Sequence, residues 1–210
     1  MKLTGESKIL LGILVATVAI IGSAVFFYNK PTPPPKPIAR DALVTSDANR
    51  IGNASASAYL VEFSDFQCPA CRAFAPVVET LATSYGDRLL IVYRHYPLSQ
   101  HAFAKPAAMA AEAAGEQGKF WEMATLLFAN QDRLSTAPWG ALADDLKLDR
   151  TKFDAAMNSD ALKAKIDRDE TTAIGLNLSG TPSFFLNGVK LTVTNPIELK
   201  KTVEEAIINQ

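Results

Sequence analysis

Val61-Glu62-Phe63-Ser64-Asp65-Phe66-Gln67-Cys68-Pro69-Ala70-Cys71-Arg72 contains both cysteines of the 210-residue chain. On its N-terminal side the alternation of Tyr59, Val61 and Phe63 predicts a buried strand. On its C-terminal side Phe74, Val77, Val78, Leu81 and Tyr85 recur at helical spacing. Cys68 therefore stands where a strand turns into a helix. The first amide N–H groups of a helix lack backbone partners and the macrodipole favours negative charge, so a Cys68 thiolate is stabilised there. Pro69 falls at the first helical position, where its fixed φ suits the helix and its missing N–H costs nothing. Cys71, one turn on, lies on the same face and close enough to bridge.

Three readings of the pair stay open at this level. A Cys-x-x-Cys can be half a zinc site completed by His95 and His101, although the spacing Cys-x2-Cys-x23-His-x5-His is far from the roughly twelve residues that separate the halves of a finger. It can be an inert structural disulfide. It can be redox-active, which the strand-to-helix context favours. Exchange requires a thiolate, and motifs of this kind lower a cysteine pKa from about 8.5 to about 3.5–7.5. Cys68 is then the attacked and attacking sulfur, expected to be exposed, and Cys71 the one that resolves a mixed disulfide.

Glu62 through Cys71 resembles the active-site segment of the DsbA-like thiol-disulfide oxidoreductases of the thioredoxin superfamily. Tyr93-Arg94-His95-Tyr96-Pro97-Leu98, Gly118-Lys119-Phe120-Trp121-Glu122-Met123 and Gly180-Thr181-Pro182-Ser183-Phe184-Phe185-Leu186-Asn187-Gly188 match the same family in order. The resemblance implies an α/β chain, a thioredoxin fold with an inserted helical domain. It implies thiol-containing exported proteins as substrates, a membrane redox partner for recycling, and no cofactor or metal. It implies that Thr181-Pro182 is a cis-proline loop facing the cysteines, and that Glu62 on the strand below them handles the proton of the buried cysteine. A solvent-facing Glu62 is the alternative. Asp65 reads equally as a turn former and a catalytic group, and His95 and His101 as loop residues beside the site or as packed polar groups. Ala70 stands where the best-known pattern of the family has a histidine, and Thr181 also departs from it; both positions tune redox poise. A reductase or isomerase of the same fold is therefore an alternative, as is a tethered binding module whose cysteines are structural or metal-bound.

Outward from this segment, Ile9 to Tyr28 is a run of 20 uncharged residues, which at 1.5 Å per residue spans roughly 30 Å, the thickness of a bilayer core. After an N-terminal tail (1–8) it predicts a transmembrane anchor over 9–28 that contacts membrane lipid. Gly22-Ser23-Ala24 offers the small residues of a cleaved signal peptide as the rival reading. Lys2 and Lys8 precede the run while Lys30, Lys36 and Arg40 follow it, so the count of positive charges does not orient it. The redox chemistry places the domain on the outer, oxidising side. Pro31-Thr32-Pro33-Pro34-Pro35-Lys36-Pro37 within the linker 29–40 predicts an extended polyproline II spacer. Beyond residue 40 there are 16 basic side chains against 21 acidic, a mildly acidic unit with no basic stripe for nucleic acid.

The remaining segment, 41–210, is large enough to bury a core without disulfide staples. Leu89–Tyr93 predicts a second strand buried on both faces, after a first helix that Pro76 kinks and Gly86 ends. From about 99 to 175 the pattern is helical: an Ala-rich run up to Gly115, then Lys119–Asn130, Pro138–Leu146, Thr151–Met157 with a Thr151-x-x-Asp154 capping box, and Asp160–Ile174. Ser183–Leu186 and Val189–Thr192 flank Asn187-Gly188, a hairpin signal. Asn195-Pro196-Ile197-Glu198 starts a last helix as N-cap, first-turn proline and capping glutamate.

Overall fold

The computed structural model describes residues 5–29, 36–136 and 138–209. Residues 31–35 of the expected polyproline segment Pro31–Pro37 lie outside them. The chain separates into two compact units, Met1–Lys36 and Pro37–Gln210. In the first, α1 (Gly5–Tyr28) contains a stretch, Ile9–Tyr28, long and apolar enough to cross a membrane.

The second unit opens with α2 (Arg40–Leu43), β1 (Asn49–Gly52), β2 (Ala58–Ser64), α3 (Pro69–Tyr85) and β3 (Leu89–His95). A helical block follows: α4 (Ala104–Gly115), α5 (Phe120–Ala129), a 3₁₀ turn (Gln131–Thr136), α6 (Trp139–Asp145), α7 (Arg150–Ala156) and α8 (Asp160–Gly175). The chain closes with β4 (Ser183–Leu186), β5 (Val189–Lys190) and α9 (Pro196–Ile208). The sheet order is β1-β3-β2-β4-β5. β2 and β3 run parallel, joined by α3 as crossover, and the other pairings are antiparallel. This is a thioredoxin fold with a helical block inserted between β3 and β4.

Every residue of β2 and β3 is buried, because both faces of the sheet are covered. Leu60 and Ile91 pack under Phe74, Val78 and Leu81 of α3 and Leu199 and Val203 of α9. Tyr59, Val61, Phe63 and Val92 pack on the opposite face with Leu43, Ala173 and Phe185. Glu62 and Ser64 alternate with the second set and so lie on the α3 face. α4 brings seven alanines into the buried core. Their small side chains let it approach Phe66, Cys71 and Tyr93, which share one cluster with Phe120, Met123 and Phe153 of the insertion. The two cysteines thus lie where sheet, crossover helix and inserted helices meet.

The cap of α7 is Asp149, whose carboxylate accepts from the Lys152 amide at 3.1 Å, and not Thr151; an acidic side chain one turn earlier satisfies the same orphan N–H. At α9, Asn195 does accept from the Glu198 amide at 3.0 Å, but the Glu198 carboxylate reaches the Thr194 amide at 2.8 Å rather than the N-cap's own N–H. β5 is only two residues long, ending at Lys190. β1 was not anticipated: Asn-Arg-Ile-Gly has one large apolar residue, and its strand character comes from pairing with β3. β3 continues through Arg94 and His95, since Asp169 of α8 receives the Arg94 guanidinium and the His95 amide.

Candidate active site

Cys68 is the N-cap of α3, in an extended conformation, with Pro69 at the first helical position. The loop before it is held from three directions. The Asp65 carboxylate accepts from the amides of Gln67 (2.7 Å) and Leu98 (2.9 Å) and pairs with His101 Nδ1 at 2.7 Å. The Gln67 side chain accepts from the Phe103 amide at 2.6 Å. From the 3₁₀ turn, the Gln131 amide donates to the carbonyls of Phe66 and Cys68 at 2.8 and 3.0 Å. A loop so tied presents its cysteine in one place, as reaction geometry requires.

Both cysteines are unbridged, with Cys68 6 % and Cys71 0 % exposed. The Cys68 Sγ–H donates to the Thr181 carbonyl at 3.3 Å, and the Thr181-Pro182 bond is cis. The Thr181 hydroxyl is buried without a hydrogen-bond partner among the described residues. It is poised to donate to Cys68 once that sulfur is a thiolate.

The two sulfurs are driven in opposite directions. The Cys71 thiol, donating to Cys68, is the main reason that the Cys68 pKa falls to about 5, against the opposing effect of burial. The Thr181 hydroxyl and the backbone N–H groups of Cys71 and Ala70 add to it. Cys71 is pushed far up, first by burial, then by holding its proton against Cys68 and by the negative charges of Glu62 and Cys68. Beneath them Glu62, 4 % exposed on the central strand, is raised to about 7 by burial, with the Cys68 charge adding and a 2.7 Å hydrogen bond from the Ser64 hydroxyl opposing.

A thioredoxin family model matches residues 45–205. The chain belongs to the thioredoxin family. A solved thioredoxin-like oxidoreductase from Silicibacter pomeroyi superimposes with a TM-score of 0.67 at 27 % identity, over 80 % of this chain and 98 % of that one. The thiol-disulfide exchange protein alpha-DsbA2 of Wolbachia pipientis gives 0.70 at 19 %, covering 80 % and 91 %. BdbD of Bacillus subtilis gives 0.69 at 17 %, covering 85 % and 100 %. These last two likenesses concern the fold. Among curated proteins, Na(+)/H(+) antiporters named NhaA 1 are similar. That of Mycolicibacterium vanbaalenii is 35 % identical over 188 residues and that of Salinispora arenicola 38 % over 198. The match takes in 86 % and 87 % of this chain but only 30 % of each antiporter. It therefore relates this thioredoxin-family chain to a minor part of those proteins.

In this thioredoxin-family site the fold brings together Cys68, Cys71, Glu62, Thr181 and Pro182. Pro69 and Ala70 lie exposed at its surface. Asp65 is a buried loop clamp with its oxygens occupied by backbone and His101. Glu62 is inside, not at a solvent-facing edge. His95 is not in a surface loop: it ends β3, buried, bonded to Glu112 at 2.7 Å. The Cys68 residue is less open than expected, because Thr181 is drawn over its sulfur. Ser64, Tyr93, Gln67 and Gln131 were missed. Ser64 had a signal, since period-two alternation places it on the face of Glu62. Gln131, 63 positions from Cys68, had none.

Proposed function

We propose that this chain is a thiol-disulfide oxidoreductase working on exported proteins, its domain held outside the membrane by the helix at 9–28. The observation that carries this reading is the opposite perturbation of two sulfurs one helical turn apart. Cys68, at about 5, is a thiolate at neutral pH, while Cys71 keeps its proton. In the oxidising direction a substrate thiolate attacks Cys68 of the Cys68–Cys71 disulfide. One S–S bond forms as the other breaks, and Cys71 leaves as a thiolate that takes a proton from Glu62. A second substrate thiolate then attacks the substrate sulfur of the mixed disulfide and releases Cys68, whose stabilised thiolate makes it a good leaving group. The substrate loses two electrons and the pair gains them; a membrane redox partner that accepts two electrons restores the disulfide. In the reverse direction Cys71 resolves the mixed disulfide. Thr181 and Pro182 face the sulfur and offer backbone to the substrate, and Ala70 supplies an N–H but no side-chain charge.

Expression of the whole protein with Cys71→Ser accumulates mixed disulfides with substrates, and Cys68→Ser abolishes exchange. Retained activity in Cys68→Ser with nothing trapped by Cys71→Ser reverses the assignment. Stoichiometric zinc in the purified protein favours the binding-module reading instead. Since a lowered Cys68 pKa stabilises the reduced form, the pair poises between about −120 mV, the value for DsbA, and about −270 mV, that for thioredoxin. A potential at or below the latter supports the reductase alternative. Protease added to intact cells, or to spheroplasts where an outer membrane exists, removes the domain; full protection overturns its outward placement.

A further inference from the structure

Two buried hydroxyls beside Glu62 have no part in the exchange steps above. Ser64, 1 % exposed, donates to Glu62 Oε1 at 2.7 Å, and it lies on the same buried face near Cys71, where its hydroxyl opposes the rise of the thiol's pKa. Tyr93 is the strand partner of Glu62 in the β2–β3 register, so their side chains share the α3 face. Its ring is stacked on Phe66 at 5.1 Å and met edge-on by Phe120 and Trp121, which leaves it no room to swing away. Yet its hydroxyl, near Ser64, has no hydrogen-bond partner among the described residues. A phenylalanine would fill the same space without a buried orphan donor, so the hydroxyl serves a state in which its neighbour carries more negative charge. Glu62 and Tyr93 both line a cleft of about 520 Å³ between α3 and α5, walled by Ala75, Pro76, Trp121 and Phe128.

We propose that Ser64 is the proton relay between Cys71 and Glu62, and that Tyr93 is the positioning residue that holds it. The inference rests on the oxidoreductase reading and specifies its proton step. When Cys71 leaves the disulfide as a thiolate, the Ser64 hydroxyl proton moves to the sulfur and the Glu62 carboxyl proton replaces it on Ser64 Oγ. The products are a Cys71 thiol, a Glu62 carboxylate and a Ser64 hydroxyl donating to that carboxylate, which is the bond present in this structure with both thiols free. The Tyr93 hydroxyl donates to Ser64 Oγ while that oxygen exchanges protons. Glu62 is recharged by water through the cleft, away from the sulfur that substrate covers. The ionisable groups facing Glu62 are Cys68 and Cys71 from α3 and Tyr93 from β3. Arg72 and Glu79 of α3 and Glu122 of α5 border the cleft, and His95, further along the face, is taken by Glu112.

The test is an infrared titration of the buried carboxyl in the reduced full-length protein, its band assigned by loss in Glu62→Gln. The parent titrates near 7. Ser64→Ala removes a hydrogen bond to the charged form and moves the inflection up by about one pH unit. Ser64→Thr, which keeps the hydroxyl, restores it, and Tyr93→Phe moves it the same way by less. The pH profile of disulfide opening by a thiol peptide shifts in parallel. An inflection unmoved in Ser64→Ala, or moved equally in Ser64→Thr, overturns the relay. A parent chain that shows the shifts but exchanges no disulfides refutes the oxidoreductase reading and leaves the Ser64–Glu62 coupling standing.

Discussion

Glu62 and Glu112 are equally shut away from water, at 4 % and 3 % exposure, and they titrate in opposite directions. Glu62 rises to about 7 and Glu112 falls to about 2. Burial raises both. The difference lies in the partners. Glu112 on α4 binds His95 at 2.7 Å, Lys165 at 2.7 Å and the Asn49 amide at 2.6 Å. It thereby fastens α4 to β1, β3 and α8, with its charge matched by the Lys165 ammonium. Glu62 accepts one hydrogen bond, from the Ser64 hydroxyl, and its other polar neighbours are the Tyr93 hydroxyl and two sulfurs. A buried carboxylate given cations becomes a fixed structural charge, and one given only neutral donors stays able to gain or lose a proton near neutral pH.

The largest effect expected from disturbing this contrast is at the matched site. Glu112→Gln strands the Lys165 ammonium in a mostly buried site and destabilises the domain by about 3–5 kcal/mol, measurable by denaturant unfolding, with little direct effect on the Cys68 pKa read from thiolate absorbance. A loss below about 1 kcal/mol shows that the network contributes nothing net. At the unmatched site the sign inverts. The folded pKa of Glu62, about 7 against an ordinary 4.5, means the folded state binds the extra proton between those values. Glu62 is therefore destabilising above pH 7, and the penalty is relieved as pH falls to 4.5. Glu62→Gln stabilises the reduced protein by roughly 3 kcal/mol at pH 8 and hardly at all at pH 4, while slowing disulfide opening by about 10²-fold or more. Equal stability changes at both pH values contradict the assigned titration.

The same reasoning orders the acid limb. The depressed pKa of Glu112 gives stability that is present above about 4.5 and lost as pH falls through about 2. Guanidinium midpoints of the parent therefore hold or rise between pH 7 and 4.5 and fall below it, and Glu112→Gln flattens the lower limb. The smallest change expected is Lys165→Met. It removes one of two basic partners, leaves His95 in place, and costs about 1–2 kcal/mol at pH 7. A loss as large as that of Glu112→Gln shows that the His95 hydrogen bond does not make up for the lost ammonium.

Much of this site was legible from one segment. Strand periodicity, a helix N-terminus and Cys-Pro-Ala-Cys place Cys68 at the cap and Cys71 beneath it, because i to i+3 spacing and proline's fixed φ are local properties. Glu62 was legible as a carboxylate of an apolar strand, with a solvent-facing edge as the alternative that the sequence left open. Alternation says which residues share a face, and only the cover over both faces of the sheet says that neither is wet.

What the sequence by itself determined were the features set within a turn or two of chain: the placement of the cysteine pair, the apolar N-terminal run, the Asn187-Gly188 hairpin and most helix positions. The tertiary structure alone decided the partners. Asp65 became a clamp because the β3–α4 loop presents His101 and the Leu98 amide to it. His95 became structural because α4 brings Glu112 to its ring, and Gln131 reaches the Cys68 carbonyl from the far side of the insertion. Protonation in a buried site depends on which charges the fold carries to it across the sheet, and contacts between residues dozens of positions apart leave no period in the chain.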